Sequence, residues 1–339
     1  MAFSVDAATM QREYDAIKSG AGMRLMDDRL VVRVSGDDRV SFMHGMCSAD
    51  VKSLLPGKLA RALFLTEHAH VVADCFIYAL QEQVLWLEVE RPRWPLIREH
   101  LERFLIADDV EFEELDTLGV LDIEGPASIG AVTGRFCETA HELEQWQHLK
   151  HDGFQIANLP RYGGPAFTVI AERTVLAATA ERMKKSFPEI PELNARTLDI
   201  IRVENGIALI GTDTNERTLA LEARLEPAIA FNKGCYVGQE TVERATARGA
   251  LKRRLYGLRF VTKDMPSIGA SIQLGDKEVG HLTSIAPSPA AGIIGLAILH
   301  HSAWAVGTSV SLTGANGMVT GRVCELPFQE LPPSGGAET

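Results

Sequence analysis

The chain has 339 residues, 46% of them hydrophobic and 23% charged, and a formal net charge of −11 at pH 7. This length predicts two or three domains, because single hydrophobic cores stop growing at about 250–300 residues. The acidic balance argues against direct binding to nucleic acid, and no apolar run approaches the roughly 18 residues of a membrane span. The residues before Tyr14 resemble neither a secretory signal nor a transit peptide, so we expect a cytoplasmic protein that does not bind membranes.

The first third of the chain predicts helices at both ends of a meander of short strands. Apolar residues at helical or alternating spacing locate these elements. In chain order they are a helix Thr9–Ile17, a strand Leu30–Val34, a helix near Val40–Met46, strands Ala62–Leu65, Val71–Leu80 and Val84–Val89, a helix Pro95–Phe104 and a strand Val110–Leu115.

The second third of the chain also predicts short strands and helices. It predicts a strand Leu118–Glu124, a helix from about Pro126, a polar helical or loop stretch His141–His151, strands Gln155–Ala157 and Ala166–Ile170, and a helix Val175–Lys185. Strands and helices come in runs and not in strict βαβ alternation, which favours an α+β fold over a doubly wound sheet.

From Leu251 onward the chain consists of short β runs separated by glycine and proline. The runs are Leu255–Phe260, Ser271–Leu274, Lys277–Thr283, Gly292–Leu299 and Ser309–Leu312. Strands at such regular spacing predict a small barrel or sandwich. We therefore expect a domain boundary near Gly249, and a disordered tail from Pro327.

The cysteines indicate reduced thiols and one candidate functional group. Five are scattered without a C-x-x-C pair, so we expect neither a zinc site nor a disulfide framework. Cys235 differs from the others, because it lies between Gly234 and Gly238 and close to Lys233, just before a predicted helix start. A neighbouring ammonium and a helix N-terminus both favour the reactive thiolate. The alternative is a tight turn with Cys235 as buried filler.

Two acidic residues and a basic cluster are further candidates. Glu204 follows an apolar helical stretch and precedes Gly206, a helix-end pattern, where its carboxylate could receive the N–H groups of a pterin or purine edge. Asp74 lies in an apolar strand, so it is either paired or functional, or exposed at a turn. The cluster after the cysteine is either a solvated face or an anion-binding rim; it comprises Arg244, Arg248, Lys252, Arg253 and Arg254.

The stretch Lys233–Glu240, reading KGCYVGQE, resembles the signature of the YgfZ family of folate-binding proteins linked to iron–sulfur enzymes. The fold relatives of that family are the tetrahydrofolate-dependent aminomethyltransferases, or glycine cleavage T-proteins. Weaker matches occur in the same order along most of the chain, including Arg202–Gly211 and Val279–Ser284. T-proteins lack the cysteine motif, which argues that this chain is not itself a glycine cleavage enzyme.

The resemblance implies a fold, a ligand and roles for single residues. The fold would be an α+β folate-binding region over residues 1–248, with subdomains of about 1–115 and 116–248 around a central cavity. A C-terminal β-barrel would cover 249–326 and the disordered tail 327–339. Tetrahydrofolate or a derivative would be the cofactor, and no metal is implied. Glu204 would hold the pterin, with Arg202, Tyr236, Gln239 and Arg248 as further cofactor-binding residues, and Asp74, Cys235 and Lys233 would be the catalytic residues.

The sequence is compatible with three functions. The first is a tetrahydrofolate-binding accessory protein for the assembly or repair of iron–sulfur enzymes, with client enzymes or assembly proteins as partners. The second is a one-carbon transferase that uses Asp74 and Glu204. The third is a thiol-only module in which Cys235 acts with a partner protein, since one thiol cannot hold a cluster that takes four ligands. A monomer is expected because the sequence has no left-over apolar stripe.

Overall fold

The structure is a computed structural model that describes residues 6–247, 251–261, 265–314 and 317–328. Contacts divide the chain into two compact units. The first unit comprises Met1–Asn194 and Pro227–Thr241, and the second comprises Ala195–Glu226 and Val242–Thr339. The predicted boundary near Gly249 and the residues after Phe328 lie outside the described ranges, and the predicted division near residue 115 stays a prediction.

Most elements of the first unit lie where the sequence predicts them. They are α1 (Ala7–Ser19), β1 (Gly22–Leu25), β2 (Arg29–Ser35), α2 (Arg39–Met46), β3 (Leu59–Leu65), β4 (Val71–Ala79), β5 (Leu85–Glu90), α3 (Trp94–Glu102), β6 (Glu111–Glu114), β7 (Leu118–Glu124), α4 (Ser128–Arg135), β8 (Gln147–His151), β9 (Phe154–Asn158), β10 (Ala166–Glu172) and α5 (Arg173–Ser186).

The remaining elements belong mainly to the second unit. They are α6 (Ala195–Glu204), α7 (Gln239–Ala247), β11 (Arg253–Phe260), β12 (Ser271–Leu274), β13 (Lys277–Ser288), β14 (Gly292–His300), β15 (Ser309–Gly314) and β16 (Gly317–Cys324). Helix α7 begins in the first unit and ends in the second. In the described part of the chain no helix is both long and apolar enough to cross a membrane.

Two antiparallel five-stranded sheets form the first unit. Their strand orders are β3-β4-β5-β2-β6 and β1-β7-β10-β9-β8. Side chains alternate between the faces of a strand, so each sheet has an outer and an inner face. On the outer faces, Ile77 and Leu87 pack with Ile97 of α3, and Ile123 packs with Leu176 of α5.

The inner faces of the two sheets pack against each other. Val31, Phe76 and Tyr78 of the first sheet share one apolar cluster with Val120 and Ile170 of the second. Asp74 lies on the same inner face of β4 as Phe76 and Tyr78, because the three residues are two positions apart.

A closed barrel of six antiparallel strands is the core of the second unit. Its strand order is β11-β14-β13-β12-β15-β16, and Leu258, Leu282 and Leu312 are fully buried inside it. Helix α6 packs against β13 and β14. The predicted α+β fold with a small C-terminal β-barrel is confirmed.

Candidate functional site

The cysteine motif forms a turn that a buried lysine anchors to the first unit. Lys233 is only 9% exposed, and its Nζ donates hydrogen bonds to the carbonyl oxygens of His44, Cys47 and Ala49 at 2.5, 2.6 and 2.7 Å. The ring of Tyr236 lies 4.7 Å from the same nitrogen. An ammonium has three donors, so the three carbonyls use all of them.

These bonds make Lys233 an anchor of the turn that carries Cys235. Every N–H of its ammonium is committed to a carbonyl, and burial lowers the pKa of Lys233. The catalytic role predicted for Lys233, which pairs its ammonium with the Cys235 thiol, stays a prediction.

The turn is also fixed where it enters α7. Gly238 has φ +88°, and a Cβ atom there would lie 2.6 Å from the carbonyl oxygen of Thr66, so only glycine fits without strain. The Tyr236 backbone N–H donates to Oε1 of Gln239 at 3.3 Å, and the Gln239 N–H donates to the Tyr236 carbonyl at 3.2 Å. Tyr236 and Gln239, predicted to bind the cofactor, thus shape the turn; their contact with folate stays a prediction.

Cys235 is the one exposed cysteine among the five. Cys47, Cys75 and Cys137 are buried, and burial raises the pKa of Cys47 to about 11 and that of Cys75 well above its ordinary value. Cys324 is half-buried. The interpretation of Cys235 as buried filler is therefore wrong, and its thiol is presented to solvent on an anchored turn.

The residues that anchor this turn could not be found from the sequence. His44 is buried, and its Nε2 lies 3.5 Å from the position that a Cβ atom on Gly234 would occupy. Burial, and then the charge of Lys233, lower the pKa of His44. The anchor itself consists of backbone carbonyls about 190 positions away, which carry no side-chain pattern.

Asp74 is a half-buried carboxylate paired with an arginine of the adjacent strand. Arg61 donates from Nε at 3.0 Å and from Nη2 at 2.7 Å, and both bonds end on Oδ2. Of the two interpretations of Asp74, the paired one is confirmed. The other oxygen, Oδ1, accepts no hydrogen bond from any residue in the described ranges.

A buried layer of charges lies behind Asp74 between the two sheets. Glu88 accepts from Arg29 at 2.9 Å and from Arg161 at 2.7 Å, and Arg161 also donates to Asp122 at 2.6 Å. Burial alone would raise the pKa of Asp74, but the positive charges of Arg61, Arg29 and Arg161 outweigh it and hold that pKa below its ordinary value. Asp74 is therefore a carboxylate at neutral pH.

Glu204 occupies the predicted helix end in the second unit. It is the last residue of α6, and Gly206 follows with φ +69°, as a helix C-terminus requires. The buried side-chain carboxylate of Glu204 accepts a hydrogen bond from Oγ of Ser288. The backbone carbonyl of Glu204 accepts a hydrogen bond from the N–H of Phe328 at 2.7 Å. Its predicted contact with a pterin stays a prediction.

Arg202, in the same unit, is held by hydrogen bonds from its guanidinium to neighbouring residues. Its five N–H groups reach Asp199, the carbonyl of Ile207, Asp213 and Ser284 at 2.6–2.9 Å. A guanidinium has five donors, so a folate could bind Arg202 only by replacing one of these partners. The contact network around buried Asp213 thus holds Arg202 in place, and the predicted contact of Arg202 with the cofactor stays a prediction.

The predicted anion-binding rim is only partly described. Arg248 lies outside the described residues. Arg253 pairs with Glu222 at 3.1 Å and Arg254 with Glu226 at 3.0 Å, so both charges are compensated. Lys252 lines a groove of about 400 Å³ together with Leu219 and His300.

Sequence profiles of two domain families match this chain. The GCVT N-terminal domain matches residues 3–162, and the glycine cleavage T-protein C-terminal barrel domain matches residues 253–329. Between them, the two matches cover more than half of the chain.

Individual proteins are similar along nearly the whole length. "Putative transferase At1g60990, chloroplastic" from Arabidopsis thaliana is 27% identical, over 91% of this chain and 72% of that protein. An aminomethyltransferase from Bacillus mycoides (strain KBAB4) is 23% identical, over 96% of this chain and 91% of its own. The crystal structure of the glycine cleavage system aminomethyltransferase T from Bartonella henselae superimposes with a TM-score of 0.87 at 20% identity, over 95% of this chain and 90% of that one, a likeness of fold.

Proposed function

Because the chain belongs to the aminomethyltransferase-like superfamily, we propose that it binds a tetrahydrofolate derivative. The support is that both characteristic domains are present and that aminomethyltransferases align with 96% of the chain. Glu204, a buried carboxylate at a helix end, is the proposed pterin contact.

Folate binding is tested by calorimetric titration with tetrahydrofolate under anaerobic conditions. Glu204→Gln keeps the size of the side chain and an oxygen for Ser288 but removes the charge. We expect micromolar binding by the wild type and roughly tenfold or weaker binding by this variant, since a hydrogen bond to a charged group contributes about 1.5–3 kcal/mol. Glu216→Gln, an exposed position in the same unit, is the matched control. No binding by the wild type would refute the proposal.

The finer proposal is an accessory role in the assembly or repair of iron–sulfur enzymes, with Cys235 as the reactive thiol. One observation carries it: an exposed cysteine lies on a turn that a buried lysine anchors through three hydrogen bonds. A thiol reacts with a partner only when it is accessible, and a fixed turn presents it at a constant place. The likeness of the motif to the YgfZ signature supplies the client class.

The accessory role is tested in cells that lack this protein, by measuring their iron–sulfur enzyme activities after complementation. Cys235→Ala should fail to restore the activities while it keeps the fold and folate affinity of the wild type. Cys324→Ala removes the other thiol that is not fully buried and should restore them. Full restoration by Cys235→Ala would show that the thiol is dispensable.

A second candidate function, one-carbon transfer on tetrahydrofolate, is favoured by Asp74. This carboxylate is ionised and has one oxygen without a partner among the described residues. The transferase hypothesis predicts turnover with an aminomethyl or methyl donor, lost in Asp74→Asn and kept in Asp27→Asn, an exposed turn position. If the wild type forms no product with any such donor, this function is excluded.

A further inference from the structure

Arg61 and Asp74 are diagonal neighbours on the inner face of the first sheet. In the register of β3 and β4, Arg61 lies opposite Phe76 and Leu63 lies opposite Asp74. Arg61 therefore points to the same face as Phe76 and Asp74, which are two residues apart. The side chains of Arg61 and Asp74 are 22% and 15% exposed, so solvent still reaches this end of the inner face.

The geometry of this pair is asymmetric. An arginine often binds a carboxylate with two parallel bonds, one to each oxygen. Here the bonds from Nε and Nη2 converge on Oδ2, and Oδ1 is left without a donor among the described residues. Asp74 is the one ion-pair partner of Arg61 among the described residues.

The charges around Asp74 reinforce the asymmetry. Arg29 on β2 and Arg161 before β10 face it from the same layer, and Glu88 on β5 lies between them. Glu88 and Asp122 compensate these two arginines, whereas Arg61 is the cation in direct contact with Asp74. Removal of Arg61 would take away the strongest influence that lowers the pKa of Asp74 and would leave burial, which raises it, opposed by Arg29 and Arg161 alone.

We propose that Arg61 is the positioning residue that turns Asp74 so that Oδ1 is presented as an acceptor for an N–H group of the bound ligand. This inference rests on the proposed folate binding, because a tetrahydropterin ring offers such N–H groups. Asp74 then acts on the ligand as a hydrogen-bond acceptor and as a negative charge. It does not donate a proton to the ligand at neutral pH.

Ligand binding should depend on pH differently in the wild type and in a variant that lacks Arg61. In the wild type the arginines hold the pKa of Asp74 below its ordinary value of 3.8, so the carboxyl group stays ionised and the affinity for tetrahydrofolate should change little between pH 5 and 8. In Arg61→Gln the pKa of Asp74 rises, and the carboxylate is lost as pH falls through the higher value. We therefore expect Arg61→Gln to lose affinity toward the acid end of the range from pH 4.5 to 8, a loss that the wild type does not show.

The experiment measures tetrahydrofolate affinity by calorimetry from pH 4.5 to 8, with circular dichroism at each pH to confirm folding. Arg61→Lys keeps a positive charge and should shift the profile less, in the same direction. Arg33→Gln, an exposed arginine of the same sheet, should leave the profile unchanged. Asp74→Asn should bind more weakly at all pH values and abolish the effect of Arg61→Gln.

The results that would overturn the proposed folate binding differ from those that would overturn only the role of Arg61. A wild type that binds no tetrahydrofolate overturns the proposed function and this inference with it. A wild type that binds, together with Arg61→Gln and Arg61→Lys profiles that superimpose on it, overturns the inference alone. A pH shift that persists when Arg61→Gln is combined with Asp74→Asn also overturns it, since the titrating group would then be another residue.

Discussion

At the scale of single residues, buried charges in this protein organise backbone and side chains. The ammonium of Lys233 donates hydrogen bonds to three carbonyls, and the guanidinium of Arg202 donates hydrogen bonds to acceptors of four residues. A buried polar group must be hydrogen-bonded, so each of these cations is satisfied, and its removal takes a donor from several acceptors at once.

Lys233→Met should destabilise the protein strongly. The methionine fills similar space but leaves the carbonyls of His44 and Cys47 without a donor in the described ranges, whereas the Ala49 carbonyl keeps the N–H of Val51 at 3.1 Å. Unpaired buried acceptors cost about 1–3 kcal/mol each, so we expect a loss of about 2 kcal/mol or more in unfolding free energy. Urea unfolding measures it. Lys52→Met, at an exposed position, should change the value by less than about 0.5 kcal/mol.

His148 should make the stability of the first unit depend on pH. Burial lowers its pKa to about 4, and its ring contacts the carbonyl of Lys58 and Gln155 at 3.1 and 2.5 Å. The folded pKa lies below the ordinary 6.5, so the unfolded chain binds a proton more readily. Stability is therefore complete above pH 6.5 and falls by about 3 kcal/mol as pH drops to 4.

Urea unfolding at several pH values tests this dependence. The difference in unfolding free energy between wild type and His148→Gln should vary with pH between 6.5 and 4, because the variant lacks the titrating group. A parallel pair of curves would show that His148 is not the source. His151→Gln, an exposed histidine of the same strand, is the control.

At the scale of elements, local sequence determines most of the fold and part of the site. The sequence predicts strand β4 as Val71–Leu80, and the strand ends at Ala79; its β-branched and aromatic residues favour a strand. The end of α6 followed from Gly206, and the start of α7 from the pattern before Gln239. These signals are local and so are visible in the sequence.

The sequence does not predict the strands that form mainly because a neighbouring strand pairs with them. Strand β8, QHLKH, has a single apolar residue in Leu149 and forms because β9 pairs with it; the predicted polar helical or loop stretch is wrong there. Strand β16 contains Gly317 and Gly321, and it closes the barrel through β11 and β15. The short strand β1 pairs with β7 immediately after the turn that ends α1. The carbonyl anchor of Lys233 was invisible for the same reason, because its partners are distant in the chain.

The turn before α7 gives a prediction at this scale. Gly238→Ala forces a side chain into a left-handed backbone and to within 2.6 Å of the Thr66 oxygen, so the turn must shift. We expect a loss of about 2 kcal/mol or more in unfolding free energy and a changed rate of Cys235 alkylation. Gly234→Ala is the matched control in the same turn, because its Cβ would meet only His44 Nε2 at 3.5 Å. Equal effects of the two variants would contradict the assignment of strain to Gly238.

At the scale of the whole molecule, the first unit is discontinuous in sequence. Its segment Pro227–Thr241 supplies Lys233, the carbonyl of Ala228 that accepts from Ser48 Oγ at 2.5 Å, and the N–H of Ala230 that donates to the Ser48 carbonyl at 2.9 Å. Residues 1–194, which contain both sheets, therefore lack these hydrogen-bond partners on their own.

A comparison of two fragments tests this dependence. Residues 1–194 joined through a flexible glycine–serine linker to residues 227–241 should be more stable than residues 1–194 alone, by about 2 kcal/mol or more, because the carbonyls of His44 and Cys47 regain their donor. Lys233→Met in the joined fragment should remove most of the gain. Equal unfolding free energies of the two fragments would mean that the segment contributes no anchoring.

The same discontinuity sets an order of events during synthesis. A ribosome completes both sheets of the first unit well before it adds Lys233, and in between it makes the first segment of the second unit. Domains near the N-terminus begin to fold while translation continues. The nascent first unit therefore lacks the donor for the carbonyls of His44 and Cys47 until the segment that carries Lys233 has been made and released from the ribosome.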